Sequence, residues 1–184
     1  VKEGVYKRTG NFARILKMYS AELKIPRDRV AVLIGKKGTT KRLIERRART
    51  RIEVTKDGDV YISGEDSLNV FNTSPIVKAI GRGFNPNIAL MLLNEDYVLE
   101  IINISDYSKK SNKKFVRIKA RLIGTKGKAW KVLEKLTMTD ISVYGKTVSI
   151  IGKVEDVIVA RGALEKLLKG APHGNVYKFI ELQK

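Results

Sequence analysis

"LIGKKGTTKRLI", beginning at Leu33, and "LIGTKGKAWKVL", beginning at Leu122, are one pattern written twice, and this duplication constrains the fold more than any other feature of the chain. At an offset of 89 residues (124 − 35), Ile34, Gly35 and Gly38 fall on Ile123, Gly124 and Gly127. Ile44 and Glu45 fall on Leu133 and Glu134, and Ile52 and Val54 on Ile141 and Val143. After a turn one residue shorter in the second copy, Val60, Ile62 and Gly64 fall on Val148, Ile150 and Gly152. A match sustained over this length implies two copies of one supersecondary unit.

Each copy carries the same periodicities. "AELKIP" (21 to 26) and "LEIINIS" (99 to 105) alternate as strands do. A short helix follows each and ends at the first glycine, and a second helix starts at the last glycine. In the second copy Ala129, Val132, Leu133 and Leu136 fall at i, i+3, i+4 and i+7, so that face is expected in the core, with Lys128, Lys131 and Lys135 on another. In the first copy Arg42, Arg46 and Arg49 make a comparable basic stripe. Hairpins are predicted from "RIEV" to "DVYISG" across Gly58 and from "DISVY" to "TVSIIG" across Gly145. Closing helices are expected at roughly 65 to 80 and 153 to 169, where Glu65-Asp66 and Glu155-Asp156 suit the positive end of the helix dipole better than they suit a catalytic pair. "FNPNIALMLLNED" (84 to 96) reads as a linking helix capped by Asn85, with Pro86 in its first turn. The chain is thereby divided into residues 1–83 with an N-terminal extension, a linking helix at 84–96, and residues 97–184 with a C-terminal extension. The expected class is α+β, a three-stranded sheet packed by helices in each copy.

The glycine spacing has a physical reading. Helices meeting at a sharp turn need a residue at positive φ, which glycine adopts without a Cβ clash. The second glycine opens a helix whose free N–H groups and dipole favour an anion. Lys36 and Lys37 fill the first loop, and Thr125 and Lys126 fill the second. The pattern reads as a backbone clamp for phosphate, built by Gly35 with Gly38 and by Gly124 with Gly127.

Charge supports that reading. Thirty-seven Lys and Arg against nineteen Asp and Glu leave +18, and the excess is clustered. Eight basic residues and only Glu45 lie between Lys36 and Arg51, and ten with no acid lie between Lys109 and Lys131. A merely solubilising surface intersperses the two signs, so nucleic acid is the expected partner. In "KKSNKKFVRIKARLIG", Phe115, Ile118 and Leu122 are expected to face the core, leaving Lys113, Arg117 and Arg121 as a stripe leading to Gly124.

Other chemistries fail on composition or spacing. Zero cysteines exclude disulfides and thiolate metal sites, and His173 is the single histidine, so no metal set or cofactor is expected and His173 reads as a contact residue. The glycines stand too close together for a P-loop, and no nucleophile–base pair emerges, so the chain is not expected to be an enzyme. No apolar run is long enough for a membrane helix, which makes a soluble, cytoplasmic protein the expectation. The chain starts at Val1, so a leader that preceded it would be invisible. Trp130 is assigned to core packing over base stacking.

"LIGKKGTTKRLI" and "LIGTKGKAWKVL", each followed by a hairpin and a helix, resemble the K-homology (KH) domain of type I, with order βααββα and a GxxG loop that grips single-stranded nucleic acid. KH domains usually place an apolar residue six positions after the first glycine; Trp130 fits that pattern and Lys41 departs from it. The tandem arrangement, "AIGRGFNPNIALMLL", the long basic helix and "APHGNVY" are similar to the archaeal Partner of Nob One family of ribosome-assembly factors. That resemblance implies RNA binding at the 3′ region of small-subunit rRNA; Lys128, Lys131, Arg42 and Arg46, on the basic helix faces that periodicity gives, are expected to flank the clamps. It also implies work beside a processing endonuclease or another ribosome-associated protein that meets the first domain. The second copy, with Trp130 and an acid-free approach helix, is expected to supply most of the affinity. The rival readings are an RNA-delivery accessory of a nuclease or exosome, and a nonspecific cationic structural protein.

Overall fold

Alternating apolar residues lay down the strands of each sheet. The computed structural model describes residues 2–4, 18–108 and 111–183. Lys109 and Lys110 of the second basic block, and most of the N-terminal extension, lie outside the described residues. The chain divides into two units, one ending at Leu93 and the other beginning at Asn94.

The first unit runs β1 (Lys2–Gly4), β2 (Met18–Lys24), α1 (Arg27–Ile34), α2 (Thr39–Ala48), β3 (Arg51–Val54), β4 (Asp59–Gly64), α3 (Ser67–Gly81) and α4 (Pro86–Ala89). Its sheet is antiparallel with order β1-β2-β4-β3, so the N-terminal extension adds an edge strand to the three that were expected. Ala21 pairs with Ile62 and Ile52 with Ile62, which puts Ile52, Val60 and Ile62 on the face that buries against α1, α2 and α3. At the end of that register Lys24 faces Asp59 and donates to it at 2.8 Å, which holds the Asp59 carboxyl below its ordinary range. Asp66 caps α3 by accepting from the Leu68 N–H at 2.8 Å. Asn85 does the same for α4 through Asn87 at 2.9 Å, but α4 is a single turn that tightens into a 3₁₀ segment at Leu90–Leu93 instead of running on to residue 96.

The second unit repeats the order with an added single turn, α5, after its first strand: β5 (Tyr97–Asn103), α5 (Ser105–Ser108), α6 (Asn112–Ile123), α7 (Lys128–Thr137), β6 (Asp140–Tyr144), β7 (Thr147–Lys153), α8 (Val154–Lys169) and then α9 (His173–Glu181). The sheet order is β5-β7-β6, all antiparallel. Ile118, Leu122, Leu133, Ile141, Val148 and Ile150 fill one core with α8, and α9 completes it with Val176 and Ile180, both fully buried. Val132, expected on the core face of α7, stands 38% exposed. Glu155 and Asp156 lie in the first turn of α8, where their charge meets the helix dipole.

Candidate nucleic-acid interface

The two glycine loops have the same conformation to within a few degrees. α1 ends at Gly35 (φ 72°, ψ 173°), whose N–H donates to Ala31 O, and α6 ends at Gly124 (φ 70°, ψ 176°), whose N–H donates to Ala120 O. A single 3₁₀ turn follows, with the second loop residue left-handed in both copies: Lys37 at φ 52° and Lys126 at φ 52°. Gly38 (φ 78°) and Gly127 (φ 74°) then open α2 and α7, and neither helix has a side chain capping its first N–H groups. An uncapped helix start with three polar or basic residues around it is a site for an anion.

The glycines of each pair do different jobs. A Cβ on Gly124 would lie 2.6 Å from the Ala129 Cβ and 2.9 Å from its N, and one on Gly35 would lie 2.2 Å from Thr40 Oγ1. The first glycine is therefore required by the turn itself. A Cβ on Gly127 would meet nothing within 4 Å, so the second clamp opens onto free space. At Gly38 the same direction meets the Arg42 guanidinium carbon at 3.9 Å, because Arg42 Nη2 donates to Lys37 O at 2.7 Å. The first clamp is partly roofed by its own arginine.

Most of the expected site residues are at the surface. Lys36, Lys37, Arg42, Arg46, Thr125, Lys126, Lys128, Lys131, Lys113 and Arg117 are exposed. Arg121 is not part of that free stripe. Its Nη1 donates to Gly170 O at 3.2 Å and its Nη2 to Ala171 O at 2.5 Å, which fastens α6 to the chain leaving α8. The first unit uses an arginine similarly: Arg29 donates to Ile80 O and Phe84 O, both at 2.8 Å, at the end of α3.

Behind the loops sits a carboxylate in each copy. Glu45 Oε1 accepts from Ile52 N–H at 2.8 Å and Glu134 Oε1 accepts from Ile141 N–H at 2.9 Å, tying the second helix to the strand after it. Lys41, in place of an apolar residue, donates to Glu45 Oε1 at 2.8 Å and to Ile52 O at 2.7 Å, so the first copy is held by polar bonds where the second uses Trp130. Trp130 packs against the core with its indole N–H buried and unpartnered, an arrangement that favours packing over stacking.

His173 is the residue that sequence reasoning left without a role at the clamp. Its Nε2 stands 2.9 Å from the Arg121 carbonyl, and a carbonyl partner makes that nitrogen the N–H donor. Its ring centroid lies 6.1 Å from that of Tyr177, whose phenol is pushed above its ordinary pKa by burial. No periodicity joins residue 173 to residue 121, so no local signal pointed to the contact. Among the described residues there is no cluster of His, Cys, Asp and Glu that could hold a metal, and no helix long and apolar enough to cross a membrane.

Comparison with known proteins agrees with the duplication. A family model described as the eukaryotic type KH-domain (KH-domain type I) matches residues 98–184, and a second, the KH domain, matches residues 20–79. A KH domain-containing protein of Methanocaldococcus jannaschii is 49% identical over 166 residues, covering 88% of this chain and 73% of the relative. The pre-rRNA-processing protein pno1 of Aspergillus fumigatus is 31% identical over 125 residues, covering 67% of this chain and 46% of that protein, so the chain spans about half the length of this eukaryotic relative. Among solved structures, the a/eIF2alpha–aDim2p–rRNA complex of Pyrococcus horikoshii contains a chain that superposes with a TM-score of 0.83 at 45% identity, covering 90% of this chain and 93% of the other.

Proposed function

Because this chain belongs to the two-KH-domain family that includes archaeal Dim2p and the eukaryotic pre-rRNA-processing protein Pno1, we propose that it binds single-stranded RNA at the 3′ region of small-subunit rRNA during ribosome assembly. The observation that carries the reading is the open second clamp: a preformed loop with Lys126 already left-handed, Gly127 facing free space and the uncapped start of α7 behind it. A phosphodiester fits there against bare backbone, and Lys126, Lys128 and Lys131 surround it with positive charge. Lys113 and Arg117 extend the site along α6. The first clamp, roofed by Arg42, contributes less. The protein acts by binding and has no catalytic activity of its own. A protein partner, with a processing endonuclease as the resemblance suggests, suits the first unit where Leu68 and Phe71 are exposed beside Glu65 and Asp66, since those carboxylates repel RNA.

The test compares two charge reversals. Replacing Thr125 and Lys126 by Asp puts two negative charges where phosphate lies and is expected to nearly abolish binding to a labelled oligonucleotide of the rRNA 3′ end. Replacing Lys36 and Lys37 by Asp is expected to weaken it less. A larger loss in the Lys36/Lys37 protein, with both variants folded, reverses the ranking. Crosslinking and sequencing of bound RNA separates assembly, with one enriched rRNA site, from a nuclease accessory, with scattered sites. Labelled rRNA incubated with the pure protein, with and without magnesium and ATP, is expected to stay intact.

A further inference from the structure

We infer that the chain after α8 positions the second clamp, with Arg121 and His173 as positioning residues that act on the loop from behind. The inference deepens the RNA reading above and rests on it for its consequence, though not for its geometry. The last carbonyls of any α-helix lack intrahelical donors. In α6 that need falls three residues before Gly124, at Arg121 O, and His173 Nε2 meets it from the first turn of α9. In return the Arg121 side chain grips the Gly170 and Ala171 carbonyls just ahead of that histidine. Each segment thus holds the other's backbone, and neither end shifts without breaking both contacts.

The hook hangs from a rigid support. Val176 and Ile180 are fully buried in the same core as Leu122 and Leu133. Phe179 lies against Gly162, 3.3 Å from the site of a Cβ there, with Lys166 Nζ 4.6 Å above its ring. The loop in front has no slack, because Gly124 already sits against Ala129. A displacement at the end of α6 is therefore passed to the left-handed Lys126 and to the start of α7. Holding the free loop in its binding conformation lowers the ordering cost that RNA would otherwise meet, which raises affinity without a new RNA contact. In the first copy the loop is held instead by Arg42 Nη2 on Lys37 O, a bond that also roofs the clamp.

The experiment measures two quantities on the full chain: amide hydrogen exchange at residues 124–128 without RNA, and affinity for the rRNA 3′-end oligonucleotide across a salt series. His173→Ala is expected to speed exchange at the loop and to weaken binding about five-fold, the effect of removing one hydrogen bond. The log-log salt slope stays unchanged, because every phosphate keeps its cation. His173→Gln, whose amide donates to the same carbonyl, is expected to recover both values. Arg121→Lys keeps the charge but loses the fork, and is expected to show the same two defects; it decides the matter if His173→Ala unfolds. Wild-type exchange and affinity in the variants overturns the inference. So does an Arg121→Gln protein whose salt slope falls by ~0.7, since that is the signature of a direct single-strand phosphate contact. If the unaltered protein fails to bind RNA, the functional reading falls, while the exchange comparison still decides the hook.

Discussion

Glu45 is the lone acid in the first basic block, and its bond to the Ile52 N–H explains its presence among arginines. Glu134 makes the same bond to Ile141, so Glu134→Ala strands a backbone donor and is expected to lower stability by about 1–3 kcal/mol, read from the urea midpoint. That carboxylate was legible in advance only as a coincidence of the repeat, since glutamates fall on each other at an offset of 89 residues (134 − 45). Lys41 was legible only in part: it stood out as a break in the apolar pattern and four residues ahead of Glu45, but its second acceptor is a carbonyl eleven residues on, and carbonyls leave no trace in residue type. The glycines separate in the same way. Gly124 has φ 70° and ψ 176°, a region closed to side chains, so Gly124→Ala is expected to lower the melting temperature and RNA binding together. Gly127 is left-handed in open space, and Gly127→Ala is expected to cost only about 1–2 kcal/mol of stability while its methyl group displaces phosphate. Thermal unfolding beside RNA titration checks the pair; equal losses of affinity per degree of melting would contradict the division of labour.

At the scale of elements, α6 shows what periodicity does and does not reveal. Its apolar spacing predicted the buried Ile118 and Leu122, with Phe115 half-buried beside them, because the 3.6-residue repeat and the core are the same physical fact. On its other side Lys113 and Arg117 are exposed, while the Arg121 side chain is engaged by carbonyls 49 and 50 residues downstream, in a segment no local pattern connects to it. Val132 escaped for a related reason: helical spacing marks a face, while the neighbours that cover its edge are set by tertiary packing. Replacing Lys113 and Arg117 by Gln is expected to weaken RNA binding and to shallow the log-log salt slope by up to ~1.4, at ~0.7 for each phosphate left without its cation. The melting temperature is expected to stay nearly unchanged, since both side chains are exposed. An unchanged slope would remove α6 from the interface.

For the whole molecule, a charge of +18 attracts polyanions without distinction, so under the proposed function selectivity falls to the clamps. A short single-stranded RNA filling one clamp with about four phosphates is expected to show a salt slope of roughly −3. Duplex DNA, which cannot lay a lone strand into the glycine loop, is expected to bind more weakly and to be insensitive to the Thr125/Lys126 reversal; equal sensitivity would make the chain a generic cation. The two units also differ in when they can exist. One is finished at Leu93, before any of the second unit is made, whereas the other draws Val176 and Ile180 into its interior from α9. Proteins are synthesised from the N-terminus and their domains fold as units in that order. The first glycine loop can thus be complete before α7 is made, and the second acquires its full support only once α9 has been made.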